Sequence, residues 1–476
     1  MSGWLAEVIC RRSHYYHYWG LAAVVGLSLG LRFWGLGRFD EWVFDEVYYV
    51  QFARAYLAGE TVFDAHPPLG KYAIALGIRL SSHLPWAEGG ESALTAVSYR
   101  WMNAFVGSLI PLLVVGICRT LTGQVLNRQT PNHQTLNHQT LARPYFALLA
   151  GGFVAIDGLF ITESRYALIN IYVVFFGLLG HWLWLRSRLV ESKRSCLYHL
   201  LSGVAVGAAA ATKWNGLGYV LSLLVWEGWQ FADRDAVRHN LKSAHKSVHN
   251  PAHNPVQMSV LVKSILYRAL CLGLVPLLTY CLVWWPHLRL NETGFWALHR
   301  GLFLFHQGLD TVQSACSGWF TWPLLLKPIP YWYEAAGERV YVVNNLGNPA
   351  LWWLSGAAVL LVGANKVLEC RQRRPARDGV TTYLLIGYLA NWLPWVVVGR
   401  CTYIYLFMPA AVFGFALLAW LLSGWLVVEK PRKTRLLGGL LLSVIALSFF
   451  FWLPLSLGLP LTPEQLQLRW WLPSWT

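Results

Sequence analysis

Phe44-Asp45-Glu46-Val47-Tyr48-Tyr49, followed by Asp64-Ala65-His66-Pro67-Pro68-Leu69-Gly70-Lys71, stands directly after an apolar stretch at 15–36. The chain holds only 23 Asp plus Glu in 476 residues, so several carboxylates at the boundary of one apolar stretch need a cause. A carboxylate beside lipid is costly unless it is paired or faces a wet cavity. The stretch therefore predicts a chain that crosses a membrane and gathers its chemistry at the membrane surface.

Composition agrees. The chain is 56% hydrophobic and 13% charged, against about 25% charged in soluble domains. Several stretches run about 20 residues with few charges, the length that crosses a hydrocarbon layer. The 27 Trp fall largely near stretch ends, as an interfacial aromatic belt requires. Eleven spans are expected, at 15–36, 97–118, 144–162, 166–185, 198–214, 216–232, 264–286, 349–366, 381–398, 402–427 and 436–458. The fold class is thus an all-α polytopic membrane protein, residues 1–476 forming one domain.

The net charge of +15 raises nucleic acid as a partner. No recognition module accompanies that charge, and its placement argues against the idea. Basic residues concentrate in alternate connections: Arg119/Arg128/Arg143, Arg186/Arg188/Lys193/Arg194, Lys242/Lys246/Lys263, Arg371/Arg373/Arg374/Arg377 and Lys430/Arg432/Lys433/Arg435. With Arg11-Arg12 they all fall on one side, which the positive-inside rule makes cytoplasmic. The odd span number sends the C-terminus outward. Leu21–Leu36 has no clean small-residue cleavage site, so the first span is expected to be retained.

Two outer loops are long, 37–96 with the acidic residues and 287–348 with many aromatics. Function is expected where they meet. Two cytoplasmic loops, 120–143 and 233–262, read as low-complexity expansions; Pro-Asn-His-Gln-Thr recurs as Leu-Asn-His-Gln-Thr within 129–141. His245, His249 and His253 would share one helix face, but Pro251 and Pro255 break that helix and no Cys or carboxylate completes a metal shell. The 8 Cys show no CxxC spacing and set no disulfide framework. Cys316 and Cys401 share the outer side, and the sequence alone does not pair them. Asn291-Glu292-Thr293 is a glycosylation sequon, meaningful only in a secretory pathway.

Asp45 is the candidate general base, accepting the proton of a hydroxyl that attacks a sugar carbon; partial burial would raise its pKa for that task. The bland alternative is a helix start, where acidic residues meet the positive dipole end. Glu46 would point elsewhere on a helix, orienting neighbours or pairing with a cation. His66-Pro67-Pro68-Leu69-Gly70-Lys71 reads as a rigid turn in which glycine permits close backbone approach, with Asp64, His66 and Lys71 beside substrate. An anionic leaving group needs cations. Arg100, Arg165, Lys327 and Arg400 all fall on the outer side, against the positive-inside bias, and are the candidate phosphate ligands. Asp157 lies inside an apolar stretch and should face a cavity or cation. Glu163 has Arg165 as its nearest partner, and Lys213 is either a helix-end cap or a substrate contact.

Together Asp45-Glu46, the Asp64–Lys71 turn, Ser164-Arg165, Lys213-Trp214, Trp322-Pro323-Leu324, Asn348-Pro349 and Asn391-Trp392-Leu393-Pro394-Trp395 resemble the protein O-mannosyltransferases. These are membrane glycosyltransferases of the GT-C class, family 39, and the resemblance spans nearly the whole chain. It implies an inverting transfer of mannose from a polyprenyl-phosphate-mannose donor to Ser or Thr of a translocated protein. Asp45 matches the family's catalytic acid, with Glu46 beside it. Arg100 resembles the arginine that binds lipid phosphate, and Trp322 falls in a matched substrate-side motif. A single displacement needs one base and one stabilised phosphate, without a carboxylate nucleophile. Two departures stand out. About 60 residues at 287–348 cannot hold the β-trefoil MIR domain of eukaryotic relatives, so the chain resembles a compact bacterial member. The family often reads Tyr-His-Tyr where this chain has Tyr405-Leu406-Phe407.

The expectation is a bacterial plasma-membrane enzyme with its N-terminus in the cytoplasm and its site facing the periplasm. No cofactor is expected to be required: the outer carboxylates could bind a divalent metal, but arginines can hold the phosphate instead. The competing readings are a GT-C transferase acting on a lipid or glycan acceptor, and a polyprenyl-lipid transporter. The last lacks the inverted repeat that transporters usually carry.

Overall fold

A computed structural model describes residues 2–84, 94–129, 136–244, 255–308, 315–372, 378–427 and 430–475. Helix α1 (Ser2–Phe33) enters the first outer loop, which carries α2 (Glu46–Ala58) and α3 (Leu69–Ser81). Helices α4 (Ala96–Gln129), α5 (Leu136–Ile156), α6 (Gly158–Arg165), α7 (Asn170–Arg186), α8 (Ser192–Thr212) and α9 (Leu217–Ala244) follow. Then α10 (Pro255–Ala269) runs through a π-turn at Leu270–Leu274 into α11 (Val275–Leu290). The second outer loop holds α12 (Phe295–Gln307) and two strands, β1 (Pro330–Ala336) and β2 (Arg339–Asn344). The chain closes with α13 (Pro349–Arg371), α14 (Gly379–Trp392), α15 (Met408–Trp425), α16 (Arg432–Leu457) and α17 (Pro463–Gln467).

Each of the eleven expected spans falls on helix. Among the described residues seven helical stretches are long and apolar enough to cross a membrane. The pair α5/α6, bent by 58°, makes an eighth. The bend has a chemical cause. Asp157 leaves helical geometry (φ −77°, ψ 129°) and accepts the Phe160 N–H, capping α6. Its second oxygen takes the Asn348 N–H at 2.9 Å and Trp352 Nε1–H at 2.7 Å. Asp157 therefore satisfies a helix start and joins it to α13, and it lies within range of the charge of the buried Arg32, the cation expected of an acid in an apolar stretch.

Two local features differ from the sequence reading within the same fold class. The all-α reading omits the antiparallel β1–β2 hairpin, which closes the second outer loop against the C-terminal segment through Val340 and Leu461. The loops expected at 120–143 and 233–262 are shortened, because α4, α5, α9 and α10 run on into them. His245, His249 and His253 lie outside the described residues. Asn291, the sequon residue, accepts the Val62 N–H at 2.8 Å and so ties the two outer loops.

Packing places the core at α4, α5, α7, α14 and α15, whose facing residues are almost wholly buried. The small residues of α8, Gly203-Val204-Ala205-Val206-Gly207-Ala208, let α7 and α11 approach closely. Polar residues gather at the two ends. One end holds Glu227, which takes Arg188 and Arg268 (Nε to Oε2, 2.8 Å). At the other end the two long loops meet.

Candidate active site

The first outer loop enters this end through Phe44, whose φ of +55° is sterically unusual for a bulky residue. Its ring stacks on Tyr331 of β1 at 4.1 Å, 6° from parallel, which holds the strained backbone. Asp45 then begins α2, but its side chain makes no cap hydrogen bond. The helix-start alternative is met in position only. The carboxylate stays available, and burial pushes its pKa up to about 6, against a downward pull from Lys213 and a further upward push from Asp64. A base of that strength is half ionised near pH 6 and mostly ionised at neutrality.

Glu46 is used differently. Its oxygens accept Val43 N–H (2.8 Å), Ala167 N–H (2.8 Å), and Arg100 Nε–H and Nη2–H at 2.8 and 2.7 Å. Arg100 spends its remaining donors on the Leu36, Phe39 and Glu41 carbonyls at 3.2, 2.6 and 2.8 Å. All five guanidinium N–H groups are thereby occupied inside the protein. The two form a buried pair that fixes residues 36–46: no Arg100 donor is left over for a phosphate, and Glu46 pairs with a cation, as its position on the helix led one to expect.

Arg165 is also engaged inside the protein. Its guanidinium donates to the Leu31, Arg32, Trp34 and Gly35 carbonyls, where α1 ends and its last carbonyls lack intrahelical partners. Glu163, expected beside Arg165, takes Asn170 Nδ2–H at 3.2 Å and the Tyr331 hydroxyl instead. Lys327 adjoins Leu325 and Leu326, whose carbonyls receive Trp475 Nε1–H and the Ser474 hydroxyl; it does not line the cavity below. Trp322 is fully buried and donates to Ser317 Oγ at 3.0 Å, backing Trp395 rather than touching substrate space. Lys71 pairs with Asp64 and donates to the His66 carbonyl at 2.7 Å, so both brace the His-Pro-Pro turn. Gly70 follows as expected: a Cβ there would lie 2.7 Å from Ile169 Cγ2.

A cavity of about 840 Å³ opens beside this turn. Its polar lining includes His66, Lys213, His306, Asn391 and Arg400, and its walls include Leu217, Leu221, Phe303, Trp395 and Val397. The expected residues that reach it are His66 and Arg400. Lys213, a helix-end cap or substrate contact by sequence, reaches it too; it lies at the α8–α9 junction, donates to Asn170 Oδ1 at 3.1 Å and sits 4.9 Å over the Tyr405 ring. Its signal in the sequence was a lysine between two apolar stretches on the outer side. Asp45 is not a lining residue, but it lies close enough for the Lys213 charge to act on it. His66 packs against His306 at 5.6 Å, and burial first, then Lys213, hold it well below the usual histidine range. A mostly apolar cavity with two cations at one end suits a lipid carrying a phosphate. Among the described residues no three His, Cys, Asp or Glu side chains gather to hold a metal ion.

With that geometry in place, comparison with known proteins is informative. Residues 22–126 and 135–291 match the family described as dolichyl-phosphate-mannose-protein mannosyltransferase, and 292–475 match the C-terminal four-TMM region of protein-O-mannosyltransferase. The polyprenol-phosphate-mannose–protein mannosyltransferase of Mycolicibacterium smegmatis is 25% identical over 96% of this chain and 93% of its own. The S. cerevisiae protein O-mannosyltransferase Pmt1–Pmt2 complex bound to the sugar donor superposes with a TM-score of 0.77, 15% identity, 97% of this chain and 93% of that one. ArnT from Cupriavidus metallidurans bound to undecaprenyl phosphate gives 0.51 at 12% identity, over 90% and 63%. The fold is that of GT-C membrane glycosyltransferases, and the chain belongs to the dolichyl-phosphate-mannose–protein mannosyltransferase family.

Proposed function

We propose that this chain transfers mannose, with inversion, from a polyprenyl-phosphate-mannose lipid to Ser or Thr hydroxyls of a protein at the outer face of a bacterial plasma membrane. The observation that carries the reading is Asp45, a carboxylate with no cap hydrogen bond at its helix start, raised to about 6 and within reach of the charge of Lys213, which itself lines a lipid-sized cavity.

The chemistry balances with these groups. Asp45 takes the hydroxyl proton as the acceptor oxygen bonds to the anomeric carbon. The bond from that carbon to the phosphate oxygen breaks, and the lipid phosphate gains one negative charge. Lys213 and Arg400 stabilise that charge, in the role first expected of Arg100 and Arg165. Neither cation is consumed by an internal carboxylate partner. His66, held neutral, lines the same wall and offers shape and hydrogen bonding without adding charge.

Purified protein mixed with polyprenyl-phosphate-mannose and a Ser/Thr-rich peptide should yield mannosylated peptide. Asp45→Asn should lower the rate at least about 100-fold, the scale of general-base catalysis. An undiminished rate in Asp45→Asn removes the base. Transfer to a lipid acceptor but not to peptide removes the protein-acceptor reading.

A further inference from the structure

Arg400 stands on backbone that no helix supports. Residues 398–403 run without regular structure between the short 3₁₀ turns at Leu393–Val397 and Ile404–Phe407. The guanidinium donates to the carbonyl of its own neighbour Cys401 at 3.2 Å, a local contact that cannot anchor the segment. The anchorage comes from the second outer loop. Cys316 is disulfide-bonded to Cys401, with Cα atoms 5.2 Å apart and 85 residues of separation that span α13 and α14. The next residues repeat the tie: Ser317 N–H donates to the Thr402 carbonyl at 2.8 Å, and Thr402 Oγ1–H to the Ser317 carbonyl at 2.6 Å. Trp322 Nε1–H in turn holds Ser317 Oγ.

We infer that the Cys316–Cys401 disulfide is a positioning device for donor binding, clamping the Arg400 segment at the cavity wall so that its guanidinium is preorganised for the phosphate in the oxidised protein. The inference rests on the assignment of Arg400 to the donor phosphate. A long side chain on mobile backbone loses considerable conformational entropy when it binds, and a covalent tie one residue away removes much of that loss beforehand. The tie also fits its place, because disulfides persist on the oxidising side of a membrane. Both cysteines are half-buried, within reach of a small dithiol. Thiol–disulfide exchange with dithiothreitol passes two electrons and two protons to Cys316 and Cys401 and leaves the reagent as its cyclic disulfide.

The test compares folded oxidised enzyme, the same enzyme reduced and alkylated after folding, and the Cys316→Ser/Cys401→Ser double variant. KM for polyprenyl-phosphate-mannose, KM for peptide and kcat at saturation are measured for each. Donor KM should rise about tenfold on reduction and in the double variant, the worth of one charge-assisted contact, and kcat should fall with it because the leaving phosphate loses Arg400, while peptide KM stays within about twofold. In an Arg400→Ala background reduction should change donor KM no further. An unmoved donor KM in protein shown by mass to be reduced overturns the tether, as does an equal effect of reduction with and without Arg400. A general loss of kcat and thermal stability without a donor-selective change assigns the bond to structure alone and also overturns it. Should Arg400→Ala itself leave donor KM unchanged, the phosphate assignment falls together with the tether. A clear Arg400 effect with a silent disulfide removes the tether alone.

Discussion

A carboxylate that must accept a proton from a serine hydroxyl works best when its own pKa lies near the working pH, because it is then both ionised and basic. Asp45 meets that condition through burial, which raises it to about 6 while Lys213 limits the rise. The sign of the pH dependence follows. Only the ionised form acts as base, so kcat/KM should climb tenfold per pH unit below about 6 and level off above it. Initial rates across that range, with donor and peptide held below saturation, check the expectation. A limb centred near about 3.9, the ordinary aspartate value, means that the carboxyl is not buried during turnover. The residue itself was visible in the sequence, because an acid at the edge of an apolar stretch is costly and therefore conspicuous. Its counter-charge was not. Lys213 comes from a junction far along the chain, and only folding sets it beside position 45.

At the scale of the element, α2 is aimed by its neighbours. Glu46 receives four N–H groups from three parts of the chain, and Arg100 gathers three carbonyls of the segment leading to it. Removing one member of such a buried pair costs about 3–5 kcal/mol, because the other charge is left without its partner. Glu46→Gln and Arg100→Lys should therefore lower the thermal unfolding midpoint in detergent, lysine failing because it lacks the planar fork. Asp45→Asn should leave that midpoint near wild type while abolishing turnover. A Glu46→Gln protein as stable as wild type but inactive returns Glu46 to the chemistry. The same element shows what the sequence cannot separate among the arginines. The positive-inside bias tells which side of a membrane a residue favours and says nothing of depth, so Arg100, Arg165 and Arg400 looked alike. Arg165 follows a helix that returns to the end of α1, where unpartnered carbonyls take it up; Arg400 adjoins a cavity.

For the molecule as a whole, the apolar stretches were legible because transfer into hydrocarbon acts on each stretch independently of its neighbours. The contents of the outer loops were not, since α2, α3, α12 and the β1–β2 hairpin depend on contacts between the loops, such as Phe44 on Tyr331 and Asn291 on Val62. The segregation of charge remains the strongest global signal. Glu46, Arg100, Lys213 and Arg400 collect at one end of the bundle, and Glu227, Arg188 and Arg268 at the other. That polarity predicts which face each end occupies. Cys196, near the start of α8, and Cys370, near the end of α13, are free and exposed at the end holding Glu227. Glu60 and Glu338 are exposed in the two outer loops. A membrane-impermeant maleimide added to intact spheroplasts should label Glu60→Cys and Glu338→Cys variants and leave Cys196 and Cys370 untouched until the membrane is opened. Labelling in the reverse order would set the cavity in the cytoplasm, where a hydroxyl acceptor on a translocated protein never arrives.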